Sequence, residues 1–117
     1  MATIAQTTVS GVKAPVAVVK TPLTGTDALT YSAGTGQVLE FTNTSSSVDA
    51  TITIDGAGST TIQPDGYGKT IDVSGGFQIP VAKSTSVAVP LDSIKVWLVG
   101  AVAVTGGNSS VLASITV

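Results

Sequence analysis

The stretch VDATITI at residues 48–54 decides the fold class. Polar and apolar residues alternate strictly along it, and the apolar set is Val48, Ala50, Ile52 and Ile54. A period of two places one set of side chains on a buried face and the other on a solvated face. The pair Asp55-Gly56 follows at once and is typical of a hairpin turn. Residues 48–54 are therefore predicted to form a half-buried β-strand that ends in a turn.

The same pattern of a short strand and a turn repeats from residue 37 to the end of the chain. Further strands are predicted at residues 37–43, 60–63, 69–73, 77–82, 86–91, 94–99, 101–104 and 111–117. Pro80 favours an edge position for its strand, because proline cannot donate a hydrogen bond to a neighbouring strand. We therefore predict an all-β chain, a single β-sandwich of about eight short antiparallel strands that is jelly-roll-like or immunoglobulin-like. An immunoglobulin-like strand order stays open, because the spacing of strands does not define their order.

Residues 1–24 differ from the rest of the chain and are predicted to form an extended N-terminal arm. Pro15 and Pro22 exclude a continuous helix and favour extended backbone at the residues before them. The β-sandwich domain is predicted to occupy residues 25–117. A frayed terminus is the alternative interpretation of the first 24 residues.

Five side chains are predicted to bind a partner. Three of them are Val16, Val18 and Val19, which lie between the two prolines of the arm in a stretch that favours a short strand. The other two, Tyr67 and Trp97, are aromatic and could stack on a sugar or anchor a protein. In the strand predicted at residues 94–99, Trp97 faces opposite to its apolar neighbours. It therefore points outward as an interface residue, unless that strand is buried on both faces.

The composition argues against several classes of function. The chain has a formal net charge of −2 and 10% charged residues, and its five lysines are scattered singly. Binding of nucleic acid needs a concentrated basic face, so we expect no nucleic-acid partner. With no His and no Cys, the usual catalytic triads and zinc sites are unavailable. We therefore expect no enzymatic activity, no metal and no cofactor, although loop carboxylates leave calcium binding open.

Three stretches of the chain resemble the small head-decoration (cement) proteins of tailed bacteriophages. They are LEFTNT at residues 39–44, ATITI at residues 50–54 and SVAVPL at residues 86–91. The resemblance extends over residues 30–117 in outline. It departs from the family before the final hairpin, where Lys95 and Trp97 stand in place of an Arg and another aromatic residue.

The resemblance implies a compact sandwich that sits on a capsid and bridges adjacent major capsid subunits. The expected partners are then the major capsid protein and further copies of this chain, with a trimer as the expected oligomer. The expected location is the virion surface, after synthesis in the host cytoplasm. A tail or head–tail joining subunit and a carbohydrate-binding or adhesin module are the alternatives. No membrane partner is expected, because the apolar run at residues 96–104 is far shorter than the roughly 20 residues of a spanning helix.

Overall fold

The computed structural model describes residues 2–9, 11–56, 76–98 and 101–117, together with the backbone of residues 61–62 and 71–72. The strands are β1 (Gln6–Thr7), β2 (Thr21–Pro22), β3 (Thr26–Leu29), β4 (Val38–Asn43), β5 (Ala50–Gly56), β6 (Thr61–Ile62), β7 (Ile71–Asp72), β8 (Phe77–Val81), β9 (Ser86–Pro90), β10 (Val102–Thr105) and β11 (Val111–Thr116). A 3₁₀ helix spans Leu91–Trp97, between β9 and β10. The prediction that the chain is all-β is confirmed as a predominantly β structure.

The strands form two mainly antiparallel sheets. The first sheet has the order β3-β10-β5-β8. The second has the order β1-β11-β4-β9, and β2 pairs with β11 on the same side as β1. Only β1 runs parallel to its partner among the pairs described, and β6 pairs with β7 in a separate antiparallel ladder. Seven of the eleven strands described are four residues or longer, and the other four have two residues each.

The two sheets share one apolar core, in a sandwich-like arrangement. Both inner faces contribute to it, with Phe41 and Leu39 of β4 opposite Ile52 and Ile54 of β5, and all four are fully buried. The other buried apolar residues of the described chain are Ile4, Leu23, Leu29, Ala50, Ile79, Val81, Leu91, Ile94, Leu98, Val102, Val104, Val111, Ala113 and Ile115. The period of two seen in the sequence therefore does mark a buried face in β5.

The alternating strand begins later than its pattern suggests. β5 starts at Ala50, and Val48 lies outside it with 58% of its side chain exposed. Local hydrogen bonds hold this residue in the preceding loop: Asn43 Nδ2 donates to the Val48 carbonyl at 2.9 Å, and the Val48 N–H donates to Ser45 Oγ at 3.0 Å. Asn and Ser side chains of this kind compete with strand pairing for the backbone.

The prediction of a strand at residues 94–99 is wrong, because the chain forms the 3₁₀ helix Leu91–Trp97 in this region. The buried residues Leu91, Ile94 and Leu98 recur at spacings of three and four, which a short apolar run does not distinguish from a strand. Pro90 ends β9, and the Ser93 hydroxyl donates to its carbonyl at 2.6 Å, which supports the turn. Residues 99–100 lie outside the described part of the chain.

Much of the segment predicted to be an arm packs into the sandwich. β1 and β2 both pair with β11, and Ile4 and Leu23 are only 3% and 1% exposed. Thr3 also forms a bridge to Ala28 in the first sheet. The packing therefore continues across the boundary expected at residue 24, and residues 11–20 are the longest continuous exposed stretch of the arm. The short strand expected at Val16, Val18 and Val19 does not form.

Within the described residues, no helix has the length and apolar character needed to cross a membrane.

Candidate interaction surface

The exposed apolar side chains of this protein are concentrated in one segment. Six large apolar side chains are exposed in the described part of the chain: Val9, Val12, Val16, Val18, Val19 and Val48. Four of these lie in residues 11–20, all of which are exposed, and Val9 stands just before them. We call residues 11–20 the valine arm. Scattered exposed valines are ordinary on a protein surface, whereas a cluster of them marks an interaction site.

The valine arm leaves and rejoins the same edge of the second sheet. On its N-terminal side, the Val9 N–H donates to the Val117 carbonyl at 2.6 Å, and the Val117 N–H donates to the Thr7 carbonyl at 3.0 Å. On its C-terminal side, the Leu23 N–H donates to the Val111 carbonyl at 3.0 Å. The Val19 N–H donates to Thr7 Oγ1 at 3.0 Å and ties the two ends together. Both ends of the arm are therefore fixed on β11.

Between these anchors, the arm has little backbone pairing with other described residues. A turn begins the arm, where the Val12 N–H donates to the Val9 carbonyl at 3.2 Å and Gly11 takes a φ of +76°. Among the described residues, no hydrogen bond involves the backbone of residues 13–18. Exposed β-branched side chains on unpaired backbone are the features that an added strand uses, with backbone bonds for affinity and side chains for specificity.

A buried carboxylate holds the N-terminal segment against the first sheet. Asp27 is 1% exposed, and its carboxylate accepts hydrogen bonds from the Ala2 N–H at 3.0 Å, the Thr24 N–H at 2.9 Å and the Thr24 hydroxyl at 2.8 Å. Burial by itself raises the pKa of this carboxyl, but the hydrogen bonds from Thr24, Ala2 and Gly25 together outweigh burial and hold the pKa below its ordinary value. Asp27 thus fixes the chain on both sides of the arm.

A buried amide holds β1 in place from the other side. Gln37 Nε2 donates to Gln6 Oε1 at 2.7 Å and to the Thr30 carbonyl at 3.0 Å. Gln37 Oε1 accepts from the Ser32 N–H at 2.7 Å, so the side chain of this buried residue is satisfied at both atoms. Because a buried polar group costs free energy when it is left unpaired, this network favours one position for β1.

The Tyr31–Asp92 pair connects the 3₁₀ helix to the loop before β4. The Tyr31 hydroxyl donates to Asp92 Oδ1 at 2.6 Å, and the Gly34 N–H donates to the same oxygen at 3.0 Å. Burial first, and then the hydrogen bond and charge of Asp92, raise the pKa of Tyr31 to about 12. The same hydrogen bond from Tyr31 is the main cause that lowers the pKa of Asp92. Every partner of this carboxylate is explained by the local fold, and no cluster of metal-ligating side chains occurs within the described residues.

The predicted binding residues do not form one cluster. Val16, Val18 and Val19 lie together on the valine arm. Trp97 lies in the 3₁₀ helix, is half-buried against the core, and packs on Phe77 with ring centroids 5.1 Å apart and planes tilted by 55°. The prediction that Trp97 points outward from a strand is therefore corrected, because this part of the chain is helical. Tyr67 lies outside the described residues.

Two exposed valines of the segment were not among the predicted binding residues. Val9 and Val12 precede Pro15 and belong to no alternating pattern, so no period in the sequence marks them. The one sequence feature that Val9 and Val12 share is the composition around them, because both lie in a stretch without acidic residues between β1 and β2.

No protein-family model, no curated protein and no solved structure matches this chain. The features that bear on its function are therefore those of the chain itself. They are the valine arm and the two anchors that hold its ends on β11.

Proposed function

We propose that this chain is a structural virion protein that decorates a phage capsid and bridges adjacent major capsid subunits through the valine arm. The observation that carries the proposal is the concentration of exposed valines in a segment of ten residues whose ends are both anchored in a sheet. Such a segment presents apolar surface outward without becoming a loose tail. It is suited to burial against another protein.

The magnitude of this surface fits attachment in many copies. Full burial of an exposed Val contributes about 1.5–3 kcal/mol, and the four valines of the arm are already roughly half covered. Docking of the arm is therefore worth a few kcal/mol, on the order of 3–5, before the cost of ordering it. Fixed ends reduce that cost, because the arm has less conformational freedom to lose. Attachment at several neighbouring subunits strengthens weak single contacts by raising the effective concentration.

The proposal that the partner is a capsid is supported by the sequence resemblance. The stretches that resemble head-decoration proteins fall largely in β4, β5 and β9, which are strands of the two sheets. The proposal keeps the finer assignments that this resemblance implies: a jelly-roll-like sandwich, a trimer, and a location on the outside of the capsid. A tail or head–tail joining subunit shares the virion setting and differs in copy number.

The experiment that tests this function is quantitative mass spectrometry of purified virus particles from the source. Hundreds of copies in fixed ratio to the major capsid protein are the expected result. A few copies to a few dozen would move the chain to the tail or the head–tail joint. Complete absence from particles would overturn the virion function and favour the carbohydrate-binding module.

A matched set of variants then tests the valine arm. We expect the triple variant Val16→Ser, Val18→Ser, Val19→Ser to bind undecorated capsids at least about tenfold more weakly in a co-sedimentation assay, since it removes apolar surface worth more than about 1.4 kcal/mol. Val48→Ser is the control, because Val48 is also an exposed valine but lies in the loop before β5. Equal binding by both variants would contradict a role for the arm.

A further inference from the structure

We infer that the outer edge of β9 accepts the valine arm of a second copy of this chain, so that the copies assemble head to tail. The inference rests on the proposed function in using the same arm, and it adds a neighbouring copy as a second acceptor beside the capsid subunits. Two unpaired features of one chain carry the inference: a sheet edge and an extended apolar segment.

The register of β9 shows which of its backbone groups face outward. The Asn43 N–H donates to the Thr85 carbonyl at 2.9 Å, and the Leu91 N–H donates to the Gln37 carbonyl at 2.9 Å. Hydrogen-bonded pairs alternate along an antiparallel ladder, so Val87 and Val89 bond β4 and the backbone of Ser86 and Ala88 points away from it. No described residue accepts a hydrogen bond from the outward N–H groups of Ser86 and Ala88.

The edge of β9 lacks the devices that protect other edges of the molecule. β8, the outermost strand of the first sheet, contains Pro80, which has no N–H to offer a new strand. The opposite edge of that sheet, β3, is partly covered by Thr3. β9 itself has no charged residue, and its exposed side chains at Ser86 and Ala88 are small. Proline, charge and cover are the usual means by which edges avoid pairing, and only Pro90 at the end of β9 is of this kind.

The valine arm has the properties of the missing strand. Residues 16–18, VAV, are β-branched or small, exposed, and without hydrogen bonds to their backbone among the described residues. Pro15 before them limits the added strand to a short stretch, which matches the two outward N–H groups of β9. Backbone bonds would give the pairing its affinity, and the valines its specificity.

The arm cannot reach the β9 edge of its own chain. A strand added outside β9 lies four strand spacings from β2, or roughly 19 Å. Residues 16–18 lie three to five residues before Thr21 of β2 and extend at most roughly 18 Å from it, even when fully stretched. With β2 in place on β11, the acceptor must therefore belong to another copy.

The positions of the two features set the symmetry of the assembly. The arm emerges at the β11 edge of the second sheet, and the acceptor is the β9 edge at the opposite side of the same sheet. Different surfaces of each copy thus meet, which is a heterologous interface, and such an interface closes into a ring when the rotation between copies permits. The proposal is therefore a small cyclic oligomer rather than a two-fold dimer.

Cysteine cross-linking tests the contact directly, because the natural chain contains no Cys. Val18→Cys and Ala88→Cys proteins are prepared separately, mixed and oxidised, and the disulfide-linked pairs are counted by mass spectrometry. Ala103→Cys is the matched control, since Ala103 is an exposed alanine on β10 of the other sheet. We expect Val18→Cys to cross-link to Ala88→Cys at least about tenfold more than to Ala103→Cys, because pairing raises the effective concentration of the two thiols. Equal cross-linking would overturn the inference.

A second variant tests the assembly without a cross-link. Ala88→Pro removes an outward N–H and leaves the ladder between β9 and β4 intact, so circular dichroism should show a folded chain. Native mass spectrometry should show rings for the natural chain and monomers for the variant. A monomeric natural chain, or rings that persist in a folded variant, would overturn the inference. Capsid binding that depends on the arm, in a chain that forms no rings, would support the proposed function and overturn the inference. Rings formed by a chain that is absent from virus particles would support the inference and overturn the proposed function.

Discussion

The two edges of the second sheet differ in whether further strands pair with them. At one edge, β1 and β2 pair with β11, and the buried residues Ile4 and Leu23 lie next to these short strands. At the other edge, β9 presents unpaired backbone and has no strand beyond it in the described part of the chain. The same N-terminal region that closes the first edge also carries the exposed valines. The difference teaches that closing one edge of a sheet can position a segment to complete the open edge of a neighbour.

The largest expected effect comes from disturbing the closed edge. Leu23 is 1% exposed and follows β2 directly, so Leu23→Ala leaves a cavity and should lower the free energy of unfolding by about 2–5 kcal/mol. Val87 on β9 is only half-buried, and Val87→Ala should cost about 1 kcal/mol. Urea unfolding of both variants measures the difference. Equal losses would show that the two edges contribute alike to stability.

The second effect is a dependence of stability on pH from Asp27. Its folded pKa lies below the ordinary value of 3.8, so ionised Asp27 stabilises the folded chain above that value, and the contribution is lost as the pH falls through the lower folded pKa. Asp27→Asn places an amide opposite N–H donors and should cost about 1–3 kcal/mol at neutral pH. The variant should also lose part of the acid sensitivity of unfolding between about pH 2 and pH 6, which is about two units either side of the ordinary carboxyl pKa.

Asp49→Asn is the control for this prediction. The Asp49 carboxylate is exposed and accepts a single hydrogen bond described here, from the Lys83 N–H at 2.9 Å. Its replacement should change the free energy of unfolding by roughly 0.5 kcal/mol or less. An equally large loss in both variants would mean that the buried anchor of the N-terminal segment has no special weight.

A smaller effect is expected at the Tyr31–Asp92 pair, which supports the helix after the open edge. Tyr31→Phe removes the hydroxyl that donates to Asp92 and should lower the free energy of unfolding by about 0.5–1.5 kcal/mol. The pKa of Tyr31, raised to about 12, predicts that the hydroxyl stabilises the folded chain at neutral pH. That stabilisation should fall as the pH rises from about 10, the ordinary tyrosine pKa, towards about 12. Ultraviolet titration of tyrosinate, compared between the natural chain and Tyr31→Phe, checks the assignment.

The smallest effect on stability should come from the valine arm itself. The triple serine variant of Val16, Val18 and Val19 changes only exposed side chains, so its free energy of unfolding should stay within about 0.5 kcal/mol of the natural chain. A similar null effect is expected for Val48→Ser. A loss of several kcal/mol in the triple variant would show that the arm packs on its own sandwich and is not available to a partner.

Local patterns predicted most of the strands after residue 37 and missed β1, β2 and β3, together with what depends on distant pairing. The alternation in residues 50–54 was enough to place β5, because burial of one face leaves a period of two. By contrast, the pairing of β1 with β11 joins Gln6 to Ile115, and nothing near either residue indicates the other. The 3₁₀ helix was missed because a short apolar run does not distinguish a helix from a strand. The hydrogen bond that holds its Asp92 comes from Tyr31, which is distant in sequence.

The candidate surface was predictable only in part. Val16, Val18 and Val19 stand out in the sequence because they lie between two prolines and no charged residue interrupts residues 16–19. Their exposure depends on where the ends of the arm are fixed, which the sequence does not show. The open edge of β9 was not foreseen, because an edge is defined by the strands that are its neighbours. The outward placement of Trp97 depends on a strand at residues 94–99, and the chain forms a 3₁₀ helix there.

Hydrogen exchange tests the relation between the two edges most directly. Amide exchange is measured residue by residue for the dilute chain and for the chain assembled at high concentration or on capsids. The account predicts that the amides of residues 16–18 and those of Ser86 and Ala88 exchange fast in the dilute chain and gain protection together on assembly. The amides of Val87 and Val89, which already bond β4, should be protected in both states. Amides of the arm and of β9 that still exchange fast after assembly would contradict the account.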